Sequence, residues 1–111
     1  MYKPASTSFV AECFWPGVSE DDLEALDERA AASAEELRRD GRPVRYVGSI
    51  LMRKDEVVLC RFEGPAGAVR EAAERARVPF ERILETTSAR RAPEDNPDSL
   101  TSELSRKEKE R

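Results

Sequence analysis

Five polar residues interrupt otherwise apolar runs of this 111-residue chain: Glu12, Arg45, Ser49, Arg61 and Glu63. Glu12 stands two residues from Val10 on one side and from Phe14 on the other. A strand carrying it therefore sets a carboxylate among apolar neighbours, and once covered it needs a cation, a donor or water. Arg61 can supply the cation, and a Glu12–Arg61 pair would act as a register device at a dimer interface. Without that partner, Glu12 is the candidate catalytic acid or base, or the anchor of a pocket. Arg45, Ser49, Arg61 and Glu63 are then the ligand-binding groups beside it.

Several chemistries are disfavoured by what the chain lacks. It has no histidine, which removes the commonest general base and the commonest metal ligand together. Cys13 and Cys60 are its two cysteines; they form no CxxC pair, and each lies inside a strand-like run, the setting of buried, reduced thiols. A mixed site of Cys13, Cys60, Glu12 and Glu63 would need convergent ligands, but strand alternation sends the cysteines and Glu12 to opposite faces. No metal ligands are therefore expected. Neither cysteine has a nearby His or Lys in the pattern to activate it, and no phosphate-cradling glycine motif occurs.

The net charge is −4, and residues 88–111 hold six basic and six acidic residues, so the charge belongs to the rest of the chain. An acidic fold lacks the basic footprint of a nucleic-acid binder. No run of about 18 apolar residues exists to span a membrane. Met1–Thr7 lacks the apolar segment of a secretory signal, and a cytoplasmic location is expected.

The elements that must position the polar residues follow from periodicity. Ser8–Trp15 alternates as a strand, with Phe9, Ala11 and Cys13 on one side and Val10, Glu12 and Phe14 on the other. Pro16-Gly17 ends it. Ser19 is an N-cap with Asp22 at the capping-box position and Val18 and Leu23 as a hydrophobic staple. The helix it opens carries Leu23, Leu26, Ala30, Ala34 and Leu37 on one stripe and stops at Asp40, before Gly41 and Pro43.

Val44–Met52 and Val57–Glu63 read as strands joined by the short charged turn Arg53–Glu56, hence as an antiparallel hairpin. In the first of them, Arg45, Val47, Ser49 and Leu51 share one side, and Tyr46, Gly48 and Ile50 the other. Pro65 opens a second helix, buried through Val69, Ala72, Ala73 and Ala76 and ended by Pro79. Glu81–Thr87 is the last strand. Tyr46 and Trp15 read as packing aromatics at strand ends.

The order β-α-β-β-α-β is the ferredoxin-like α+β arrangement, a four-stranded antiparallel sheet with both helices on one face. Residues 1–7 are read as a flexible lead-in, 8–87 as the domain, and 88–111 as a polar, disordered tail. Leu100 and Leu104 give that tail a means of contacting a protein partner. The uncovered sheet face would gain from pairing with a second copy as a dimeric α/β barrel.

Phe9-Val10-Ala11-Glu12, Pro16-Gly17, Val44-Arg45-Tyr46-Val47-Gly48-Ser49, Cys60-Arg61-Phe62-Glu63-Gly64-Pro65 and Val69-Arg70-Glu71 together resemble the small actinobacterial nickel-responsive proteins. The likeness runs from about Ser8 to Thr87. It implies a ferredoxin-like homodimer whose open sheets face each other, and nickel as the metal of the binding members. Their histidine positions are occupied here by Ala72, after Arg70-Glu71, and by Gly48. The resemblance therefore carries the fold without the metal, and no cofactor is expected. Two functions follow: a homodimeric small-ligand or metal-responsive binding protein, or a cofactor-independent cyclase, isomerase or monooxygenase-like enzyme using Glu12.

Overall fold

The computed structural model describes residues 7–87; the expected tail, its proposed partner contact and most of the lead-in lie outside them. The elements are β1 (Ser8–Phe14), α1 (Glu20–Arg39), β2 (Arg45–Met52), β3 (Val57–Glu63), α2 (Ala66–Arg75) and β4 (Arg82–Thr86). All strand pairs are antiparallel, in the order β2-β3-β1-β4. This is the expected α+β, ferredoxin-like sandwich of one sheet and one helical layer. No helix among the described residues is long and apolar enough to cross a membrane.

One core lies between sheet and helices. Phe9, Ala11 and Cys13 of β1 and Val58, Cys60 and Phe62 of β3 meet Leu26, Ala30, Ala34 and Leu37 of α1 and Ala68, Val69, Ala72 and Ala73 of α2. Ser19 caps α1 with a full capping box: its Oγ accepts from Asp22 N–H at 3.0 Å, and Asp22 Oδ2 accepts from Ser19 N–H at 2.9 Å. The small residues of both helices let them approach closely. Ser33, not singled out by the apolar stripe, is buried between them and donates its hydroxyl to Ala72 O at 2.8 Å.

The second helix ends earlier than Pro79 requires. Arg77 takes a left-handed φ of 59° after the Ala76 cap, and Val78 N–H bonds back to Ala73 O at 3.0 Å. This is the Schellman pattern, with the nearly buried Val78 as its hydrophobic contact. Burying Val78 stops the helix before proline does.

Tyr46 packs edge-on against Phe62, with ring centroids 5.0 Å apart, and donates its hydroxyl to Asp27 Oδ1 at 2.5 Å. Burial and the Asp27 bond push its pKa far above the usual value of 10.0. Below pH 10 both states keep this proton, so the stabilisation is fully present. Above it the unfolded chain ionises while the folded one does not, and stability is lost at up to about 1.4 kcal/mol per pH unit. Tyr46→Phe should cost about 1–2 kcal/mol at neutral pH in urea melts, since Asp27 loses its donor. The gap between the two proteins should narrow above pH 10. A gap that widened there would refute the assignment.

Candidate functional site

The sheet face away from the helices carries Val10, Glu12 and Phe14 from β1, Leu59, Arg61 and Glu63 from β3, and Arg82, Leu84 and Thr86 from β4, as alternation against the buried set requires. Four of the five candidate ligand-binding residues, Glu12, Arg45, Arg61 and Glu63, share it. Ser49 does not. The β2–β3 register slips between Tyr46 and Gly48, which leaves Val47 as an extra residue in a β-bulge. Beyond the bulge Ser49 lies opposite Cys60 and Leu51 opposite Val58, both core residues. Ser49 therefore belongs to the helix side. Gly48, Ile50 and Met52 take the open side.

Register also decides the partner of Glu12. Glu12 lies directly opposite Leu59 on β3 and Arg82 on β4, whereas Arg61 lies opposite Val10. Arg82 Nε donates to Glu12 Oε1 at 2.5 Å, in place of the expected Arg61. That bond raises the Arg82 pKa and keeps its guanidinium charged. The Arg82 side chain is 63% exposed and that of Glu12 31%, so the pair orients the two groups more than it stabilises the fold. Ile83 faces the core, and by alternation this alone placed Arg82 beside Leu84 and Thr86; the sequence reading passed over it.

Arg45 and Glu63 are also paired, 3.7 Å apart, at the end of the β2–β3 ladder. Both line a cleft of about 500 Å³ together with Arg38, Pro43, Val44 and Pro65. Its other guanidinium, Arg38, is held by Val44 O at 2.8 Å and Glu35 at 3.3 Å. Arg45 and Glu63 thus border both this cleft and the open face, Glu12 and Arg61 stand on the open face alone, and Ser49 joins neither.

Cys13 and Cys60 are both free and fully buried on the helix side. The Cys13 thiol donates to Ala11 O at 3.9 Å; the neighbouring thiols act on one another, which lowers Cys13, while that proximity and burial push Cys60 up. Nothing holds Cys60 as a thiolate near neutral pH, and both sulfurs lie across the sheet from Glu12.

Fold and site together define a ferredoxin-like α+β protein whose open sheet face carries both apolar and charged side chains. The family model for nickel responsive proteins of the SCO4226-like type matches residues 9–86. The chain belongs to the SCO4226-like family. The crystal structure of SCO4226 from Streptomyces coelicolor A3(2) superposes with a TM-score of 0.61 at 20% identity, covering 75% of this chain and 99% of that one. At that identity the likeness is one of fold. No curated protein matches the sequence.

The residues do not fit the metal that the family description names. The chain has no histidine, and among the described residues no three Cys, Asp or Glu side chains converge on a common point. Its two thiols, the ligands best suited to a soft site, are sealed in the core. Titration of the full chain with Ni²⁺ by calorimetry should therefore show no saturable, stoichiometric binding. A one-to-one isotherm would overturn this.

Proposed function

We propose that this chain is a homodimeric binding protein of the cytoplasm that encloses a small ligand, rather than nickel, between two open sheet faces. One observation carries the reading. The large hydrophobic residues exposed among the described residues are Phe14, Val47, Ile50, Met52 and Leu84, exposed by 37–54%. Four are on the open face, and Val47 is in the bulge at its margin. A cluster of this kind marks an interaction surface, and a two-fold pairing of sheets would cover it. The Glu12–Arg82 and Arg45–Glu63 pairs would give that interface register.

The enzyme reading has less support. It needs Glu12 as acid or base, and that carboxylate is held by Arg82. Sedimentation velocity on the full chain, with native mass spectrometry of co-purified small molecules, tests the proposal. A dimer carrying an organic ligand is expected, and a monomer at every concentration would sink it.

A further inference from the structure

The open face holds three guanidinium groups and two carboxylates. Glu12 is taken by Arg82 and Glu63 by Arg45. Arg61, in the middle of β3, forms no ion pair among the described residues, and its side chain is exposed. Its surroundings are built open. The β2 residue opposite it is Gly48, at φ +137°, where an added Cβ would meet nothing within 4 Å. On the β1 side the opposite residue is Val10. The bulge at Val47 and the Arg61 side chain line a depression of about 100 Å³, together with Val10, Glu63 and Thr86. That volume suits a carboxylate or phosphate group and is well below the 300 Å³ or more of a whole-ligand pocket.

We infer that Arg61 is the anion-binding residue of this protein, receiving the carboxylate or phosphate head of a small organic ligand whose apolar body lies against Val10, Ile50, Leu59 and Leu84. The inference rests on the open face being an enclosed pocket and adds the ligand's charge and shape. The physical argument is one of charge balance. Closing a second sheet over this face removes water from Arg61, and an unpaired buried cation is costly. The two glutamates that share this face among the described residues already hold other arginines. An anionic head accepting the guanidinium fork is the compensation that a dry site requires. Gly48 leaves room for that head where any larger residue would narrow the gap.

The test uses the full chain and two probes, inorganic phosphate and octanoate, titrated by calorimetry into wild type, Arg61→Met and Arg61→Lys. Sedimentation is measured on the same samples. Wild type should bind at least one probe saturably, and the probe that binds identifies the head as phosphate or carboxylate. Arg61→Met should weaken that binding by about tenfold or more with the dimer retained, and Arg61→Lys, a point charge without the fork, should fall between. A dimer that binds neither probe, or binds equally well without Arg61, overturns the anion assignment and leaves the dimer reading intact. Arg61→Met dissociating into monomers, with no probe bound by wild type, would mean that Arg61 pairs with a carboxylate of the second copy, which also overturns it. A wild-type monomer whose probe binding depends on Arg61 sinks the enclosed pocket and supports the anion site.

Discussion

Gly64→Ala should cost this domain more than about 3 kcal/mol and leave it largely unfolded at 37 °C, because two penalties coincide at one position. Gly64 has a φ of +143°, a region that L residues rarely enter. An added Cβ would also lie 2.5 Å from Pro43 O and 3.0 Å from Val44 Cα. Both are backbone atoms, so no side chain can rotate away. Relief would require β2 to separate from the start of α2, breaking the Gly64 N–H bond to Thr7 O at 2.8 Å and the seating of the fully buried Val44. A domain of this size has only a modest margin to lose.

The control is Gly17→Ala. Gly17 also has a positive φ, of 76°, but open space around the added methyl, so only the conformational term of about 1–2 kcal/mol applies. Urea melts followed by circular dichroism compare the two. Equal midpoints would show that the approach of Pro43 relaxes at little cost.

Ile50→Glu should convert the proposed dimer to monomer without unfolding the chain. In a two-fold interface each substitution appears twice, so two carboxylates would enter the apolar surface that Ile50 forms beside Leu59. A desolvated, unpaired charge costs several kcal/mol, and even about 3 kcal/mol weakens association by more than a hundredfold. In the single chain Ile50 is 43% exposed, so the monomer's own melt should move by no more than about 0.5 kcal/mol. Sedimentation read beside the melt separates the effects. A dimer surviving this change, with Leu84→Glu added, would place the interface elsewhere on the molecule.

Much of the fold was legible because its signals are local. The Ser19–Asp22 box, the spacing of Leu26, Ala30, Ala34 and Leu37, and the Gly64-Pro65 break before α2 each act within one or two turns of chain. Alternation in β1 and β3 was legible for the same reason, and it correctly sent Cys13 and Cys60 to the core and Glu12 and Arg61 to the opposite face. The family likeness agreed with that order of elements.

The site was less legible because it depends on how strands align. Alternation counted along β2 fails after one inserted residue, and the bulge at Val47 reverses every later side chain, moving Ser49 into the helix side and Gly48 and Ile50 out of it. Residue types alone make Arg61 a reasonable partner for Glu12. Only the pairing of β1 with β4 sets Arg82 directly opposite that carboxylate and leaves Arg61 unmatched. The sequence by itself determined which elements form, which residues are apolar enough to make the core and which metal ligands are missing, since these depend on composition and short-range spacing. Tertiary structure alone decided which charges meet, because strand register is set by packing between segments up to 70 residues apart.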